Sequence, residues 1–256
     1  DGDSQVVDGH IVPERPSGSA AWLYIKDGFG SIPVEPGEYT VTVHRGGQHS
    51  YHSEEVSVGS GELATIEAVL SNVSGRPGIY TADPHAHAGP SGDGGLPMEA
   101  RLVTHAAHGI DIHFGTDHDH IADYRPLLEP LGLDGVLASV VATEVSPVLR
   151  GHFNAYPLEE ARGEINHGAL LWYQTWPIWE TTQGLFDTIR DLPSGGDVIV
   201  QSNHPLGNGG LLGNAKYDLA TGPVGLPDSW SEDFDAMEVL NNWPSADYVL
   251  HYMDLV

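Results

Sequence analysis

An α/β domain preceded by a small all-β module is the architecture this sequence predicts, and three observations predict it. Up to about residue 76, short alternating or apolar runs are punctuated by Gly and Pro. From Gly78 onward, apolar runs of strand length alternate with helical patterns. Several of these later strands end on a His or a Glu.

In the first segment, runs at Gln5–Val12, Ala20–Lys26, Tyr39–His44, Glu55–Val58 and Leu63–Leu70 read as strands. The stretch VEPGEYTVTVHRG sets a Pro-Gly turn before a run in which Tyr39, Val41 and Val43 alternate with Thr40 and Thr42, so one face can be buried. Several such strands suggest a small sandwich over residues 1–76. Its histidines, His10, His44, His49 and His52, read as solvated strand or loop groups.

In the second segment, residues 77–256, strands are expected at Ile79–Asp83, Asp111–Gly115, Val136–Thr143, Phe153–Tyr156, Val198–Ser202 and Ala236–Leu240, with helices at Pro97–His108, Ala122–Leu131, Gly184–Leu192 and Ala246–Leu255. Alternation of this kind predicts a parallel sheet. The first helix follows a Gly-rich loop, opens on Pro97, whose missing N–H costs nothing in a first turn, and stops before Gly109. His105 and His108 on that helix, away from the strand ends, are expected as surface or interface residues, and His113 as a hydrogen-bonded core group. Trp172, Trp176 and Trp179 precede the third helix and belong either to the core or to an apolar substrate wall.

Composition excludes several classes of function. The chain has no Cys, so disulfides and thiolate metal sites are ruled out, and any metal must be held by His, Asp and Glu. No apolar run approaches the roughly 18 residues that span a bilayer, so no membrane partner is expected. Asp and Glu number 36 against 10 Lys and Arg, a net charge of −26. Nucleic acid is therefore not expected as a partner, because neutralising phosphates requires clustered Lys and Arg. The start at Asp1 reads as a processed or trimmed N-terminus. So acidic a surface also fits a saline habitat: screening by counterions should relieve the mutual repulsion. The melting temperature is expected to climb between low and molar NaCl, and a flat or falling curve would remove that reading.

The chemistry lies at the strand ends. In Asp83-Pro84-His85-Ala86-His87 two histidines are separated by one residue, and on an extended backbone both point the same way and can reach one ion. Gly115-Thr116-Asp117-His118 follows the next strand; His118 offers a further nitrogen, and Asp117 either orients a ligand or accepts a proton from water. Glu144 ends the apolar run VLASVVAT, where a carboxylate can bridge two ions. Gly151-His152 precedes the strand FNAYP, and Asn203-His204-Pro205 follows VIVQS. Each motif alone is weak; their recurrence at successive strand ends points to a metal or catalytic site. His120 lies close by, without a motif position.

The ordered set HxH, TDH, Glu, GH and NHP over residues 79–256 resembles the PHP superfamily of metal-dependent hydrolases. The NHP segment, the later FDAMEVLN and the N-terminal β module resemble its CehA/McbA-like members. The β module itself resembles the carboxypeptidase-regulatory-like or transthyretin-like sandwiches attached to extracellular hydrolases, which favours an extracellular or periplasmic location. The resemblance implies a distorted (β/α)7 barrel holding two or three divalent ions, Zn, Mn or Fe. It places His85, His87 and Glu144 on one ion, Glu144, His152 and His204 on a second, and His118 with Asp93 on a third; Asp117 is either a supporting group or the general base. It further implies cleavage of a phosphoester, carboxyl ester or carbamate in a small molecule by a metal-bound hydroxide. Family members carry a final Asp-x-His that the stretch SADYVLHYMDLV does not supply, so the barrel is expected to lack its last strand; a metal-binding scaffold with impaired catalysis is the alternative. The oligomeric state is left open.

Overall fold

The computed structural model describes residues 5–7, 10–12, 20–74, 77–172, 181–207, 209–218, 220–225, 227–239 and 241. In chain order the elements are β1 (Gln5–Val7), β2 (His10–Val12), β3 (Gly37–Val43), β4 (His52–Val58), β5 (Ala82–Ala86), α1 (Met98–Ala107), β6 (Ile112–Gly115), β7 (Ala138–Val141), β8 (Thr143–Val145), β9 (Phe153–Tyr156), α2 (Thr182–Arg190), β10 (Ile199–Ser202), α3 (Leu211–Ala215), β11 (Tyr217–Asp218), β12 (Gly222–Pro223) and β13 (Ala236–Met237). The fold is mixed α/β, and none of its sheets closes into a barrel among the described residues. No helix among them is long and apolar enough to cross a membrane.

The chain divides into two compact units: Asp1–Asp83, Leu96–His113 and Arg125–Ala138 form the first, and Pro84–Gly95, Phe114–Tyr124 and Ser139–Val256 the second. In the first unit, β1 pairs with β2 and β3 with β4, both antiparallel. The β3–β4 ladder runs from Gly37↔Val58 to Val43↔His52, and alternate residues on each strand are half-buried, as a period of two requires. The runs at Ala20–Lys26 and Leu63–Leu70, expected as strands, form no ladder among the described residues. In place of the expected sandwich, the described part of this segment has two separate hairpins. Helix α1 buries Ala100, Leu102, Val103 and Ala106. The helix expected over Ala122–Leu131 is only a 3-10 turn at Arg125–Leu127. Pro126 and Pro130 explain the difference, since each removes a backbone donor that an α-helix needs.

The second unit is organised on the sheet β13-β10-β9-β8. Its core gathers Val145, Phe153 and Val200 from the strands with Leu185, Phe186 and Ile189 from α2; the rings of Phe153 and Phe186 meet edge to face at 4.8 Å. Thr181 caps α2, its hydroxyl accepting the Gly184 N–H at 3.0 Å. The sheet is not the parallel one expected: β8–β9 and β9–β10 are antiparallel, and only β10–β13 is parallel. Between β8 and β9 the reason is length, because the loop from Ser146 to His152 is too short for a crossover of a dozen or more residues.

Strands β5, β6 and β7 form a third sheet in that order. Ile112 N–H bonds Thr81 O, and Thr116 N–H bonds Ala86 O, so the register rises along both chains and β5 and β6 are parallel. Just past β6, His118 pairs with Glu144 of β8 in a parallel bridge. The carboxyl ends of β5, β6 and β8 are thereby drawn together.

Candidate metal centre

Strand β5 lies three residues later than the apolar run suggested, so His85 is within the strand and His87 just beyond it. Their rings project together, with centroids 5.1 Å apart. Opposite them, Glu144 in β8 is fully buried. Its two oxygens face different neighbours. His85 Nε2, His87 Nε2 and His118 Nδ1 lie 3.4, 3.2 and 3.0 Å from Oε2. His152 Nδ1 and His204 Nε2 lie 3.3 and 3.4 Å from Oε1. Asp93, the most exposed member, reaches His87 Nδ1 at 3.3 Å and His118 Nε2 at 3.4 Å. Every residue expected as a ligand, His85, His87, Asp93, His118, Glu144, His152 and His204, is thus brought into one cluster.

Separations of this size would let such groups share an ion. Ligand atoms about 2.1 Å from one ion in tetrahedral array stand roughly 3.4 Å apart. Glu144 Oε2 and His152 Nδ1 are buried and make no hydrogen bond, which is costly unless a cation completes them. Three sets could hold an ion: His85, His87 and Glu144; His87, Asp93 and His118; His118, Glu144 and His152.

The surrounding groups decide which ring nitrogen is offered. His85 Nδ1 is 3.0 Å from Glu238 Oε1. A carboxylate can only accept, so the proton of neutral His85 lies on Nδ1 and the lone pair of Nε2 faces Glu144. Ser146 donates its hydroxyl to Glu144 O at 3.1 Å and stands 2.6 Å from His118 Nδ1, so it accepts from that nitrogen and leaves Nε2 for the Asp93 side. Ser91 donates to Asp93 at 2.5 Å and accepts from His87 Nδ1 at 3.1 Å, which leaves Nε2 of His87 toward Glu144.

Electrostatics follow the same logic. Burial alone would raise the Glu144 pKa, but His152, His204, His85 and His87 outweigh it and hold the carboxyl far below the usual carboxylate range. Burial would lower that of His85, yet Glu144 and Glu238 hold it up to about 10. Two acceptors face each other there, and a proton fills the gap when no other cation does. For His118 burial prevails and the pKa is lowered. A consequence for metal uptake follows. With its pKa raised, His85 is protonated throughout the range from pH 6 to 9, so binding through Nε2 must expel that proton and apparent affinity must rise with pH. Titration calorimetry in buffers of different ionisation enthalpy is expected to register proton release at pH 7; none would contradict ligation by His85.

Asp117 is fully buried; Oδ1 accepts the Ala88 N–H at 2.8 Å and Oδ2 the Tyr124 hydroxyl at 2.6 Å. Its carbonyl takes the Glu144 N–H at 3.1 Å and the Thr143 hydroxyl at 3.0 Å. Of the two roles expected for it, these contacts describe the positioning one. His120 packs its ring 4.5 Å from His167, which pairs with Glu160 at 2.7 Å. The Trp172 indole donates to Asp119 at 2.8 Å. Trp176, Trp179 and the stretch Ala246–Leu255, with His251 and Asp254, lie outside the described residues.

The sequence motifs assigned no individual role to Glu238, Ser91, Ser146, Asn154 or Asn203. Glu238 lies in the stretch FDAMEVLN that carried part of the resemblance, but within the strand expected at Ala236–Leu240, and nothing local marked it as facing the site. It accepts the His204 N–H at 2.6 Å as well as facing His85, and so steadies His204 at a φ of 27°, a region few side chains adopt. Asn203 donates to Glu144 Oε1 at 2.9 Å and to Asn154 at 2.7 Å, a buried pairing that no local pattern announces. Comparison of the chain with protein-family models, with curated proteins and with solved structures gave no match, so the resemblance to the PHP superfamily rests on these residues alone.

Proposed function

We propose that the chain is a metal-dependent hydrolase of PHP type, CehA/McbA-like, which cleaves an ester-type bond in a small molecule: a phosphoester, a carboxyl ester or a carbamate. The observation that carries the reading is the division of Glu144, with one oxygen among His85, His87 and His118 and the other between His152 and His204. Two or three ions of Zn, Mn or Fe suit these nitrogen and oxygen donors. His85, His87 and Glu144 Oε2 would hold one; His152, His204 and Glu144 Oε1 a second; His118 Nε2 and Asp93 a third. Such ions lower the pKa of water towards neutrality and polarise the substrate oxygen, which removes the need for a Ser or Cys nucleophile. The protein's part is to orient donors and exclude bulk water. Glu238 fixes His85, Ser146 fixes His118, Glu144 forms a buried floor, and Asp93, with 60% of its side chain exposed, is the cluster member most open to solvent.

The distorted barrel belongs to this proposal, supported by the parallel bridge His118↔Glu144, which links the end of β6 to the sheet led by β8. So do the absence of a nucleic-acid partner, which rests on the charge of −26, and a location outside the cytoplasm. Anomalous scattering from crystals grown without added metal would count and identify the ions. Parallel assays with p-nitrophenyl phosphate, acetate and a p-nitrophenyl carbamate should show turnover that a chelator removes and metal restores. A chain that takes up none of Zn, Mn or Fe would sink the reading. Bound metal with no turnover on any of the three would point to the impaired scaffold instead.

Glu238→Gln is expected to weaken metal affinity about 10- to 100-fold, the usual effect of removing a carboxylate that orients a ligating imidazole. Competition with a chromogenic chelator measures it. Unchanged affinity would mean that Glu238 only supports the fold.

A further inference from the structure

Two imidazoles outside the metal cluster also meet within the second unit. His120, in the segment after β6, and His167, in the loop between β9 and α2, have ring centroids 4.5 Å apart and planes tilted by 50°. The rings of His87 and His118, which with Asp93 form one of the sets able to hold an ion, stand at the same 4.5 Å with a tilt of 59°. Glu160 Oε1 accepts from His167 Nδ1 at 2.7 Å, and Arg162 Nε donates to the other Glu160 oxygen at 2.8 Å. The proton of neutral His167 therefore lies on Nδ1, and the lone pair of Nε2 is left to ligate. Among the described residues neither ring nitrogen of His120 has a hydrogen-bond partner. The loop that presents His167 is well tied. Ile121 N–H bonds Asn166 O at 3.2 Å and Ala161 N–H bonds His167 O at 2.9 Å, which holds Asn166 and His167 at φ of 50° and 57°, a region few side chains adopt.

We infer that His120 and His167 together bind one divalent transition-metal ion of the copper or nickel type, with water at its remaining positions. Imidazoles whose nitrogens lie about 2.1 Å from an ion have ring centres about 3.2 Å from it. Their centres then stand roughly 4.5 Å apart when the donors meet at a right angle, and roughly 5.2 Å apart at the tetrahedral angle. The observed 4.5 Å is the right-angle value, and square-planar or tetragonal nitrogen and oxygen donors are the arrangement Cu(II) and Ni(II) prefer. Water can reach the ion, since 36% of the His167 side chain is exposed. Glu160, with both oxygens engaged, orients His167 and raises its basicity without ligating. Asp117 and Glu160 both set negative charge near His120, which favours a cation there. An ion held at this point adds a coordinate link to the backbone bond from Ile121 to Asn166, and so clips the His167 loop to the segment that carries His118.

The pair shares no residue with the metal cluster, so the two can be tested apart. The full chain, freed of metal by a chelator and titrated with Cu(II), is expected to take up one equivalent that His120→Gln and His167→Asn each remove. Asn is chosen at position 167 because it tolerates a positive φ. Glu160→Gln should weaken that equivalent about 10- to 100-fold, as loss of a carboxylate behind a ligating imidazole does. Glu144→Gln should retain it, whatever becomes of the cluster. An unchanged copper count in both histidine variants, loss in only one of them, or disappearance of the same equivalent in Glu144→Gln would each overturn the assignment. Should a variant fail to fold, crystals of the unaltered chain soaked in Cu(II) decide by anomalous scattering at the copper edge: a peak between the His120 and His167 rings supports the site, and peaks confined to the surroundings of Glu144 refute it.

Discussion

Glu144→Gln should empty two metal positions at once and abolish turnover with them. The carboxylate is fully buried and divides its oxygens between two groups of imidazoles. An amide offers one neutral oxygen and turns an NH₂ towards the other group, so each ion loses a charged donor. Removing one partner from a buried charge pair costs about 3–5 kcal/mol, or about two to four decades of affinity. The same substitution strips His85 of one of the two carboxylates that hold its pKa at about 10, so the metal-free variant should also surrender its His85 proton at lower pH. Metal content by mass spectrometry, measured alongside turnover, checks the first claim. Full metal load in the variant would show that Glu144 does not bridge.

Gly94→Ala is expected to be nearly as damaging, although the residue bears no chemistry. A Cβ at this position would lie 1.9 Å from Ala88 O and 2.5 Å from its carbonyl carbon. Neither atom is the end of a flexible side chain, so the loop carrying Asp93 must retreat by more than about 1 Å from the loop carrying His87. A displacement of that size costs on the order of 10²-fold in rate when it falls among reacting groups. The loss should concentrate on the ion shared by Asp93 and His118, while the positions built on Glu144 keep their metal. Gly92→Ala and Gly95→Ala are the internal controls, because nothing lies within 4 Å of a Cβ at either; both should behave as the unaltered chain. Equal effects from all three would mean that the loop as a whole, and not the close approach at Gly94, sets the geometry.

How much of this could be read beforehand differs between the site and its frame. The HxH pair was legible because an extended backbone forces residues two apart onto one side, and Glu144 because a carboxylate at the end of an apolar run stands where it can bridge two ions. Both arguments are local. The antiparallel β8–β9–β10 arrangement was not legible from alternation alone, though the short span between Glu144 and His152 excluded a crossover. Pro126 and Pro130 should have overruled the apolar pattern around them. His105, expected as a surface or interface residue because it lies away from the strand ends, is buried together with His113, their rings 5.0 Å apart. Helical spacing marks which residues share a face but not what covers it. The serines and asparagines that set the ligand tautomers make long-range contacts between strands, and no window of sequence contains both ends of such a contact.

The buried amides behind Glu144 form a one-way relay. Tyr156 donates to Gln201, Gln201 to Asn203, Asn203 to both Glu144 and Asn154, and Asn154 to the carbonyl of Pro84, the residue before His85. The carboxylate and the carbonyl at its far end can only accept, so the orientation of every amide upstream is dictated from there. Shape alone would let an aspartate stand in for Asn154 or Asn203. Polarity would not: at either place an acceptor would replace the donor on which the next member depends, and at position 203 a second negative charge would press against Glu144. The wall of this site therefore distinguishes nitrogen from oxygen in side chains of equal size, and isosteric exchange there is a reversal of sign.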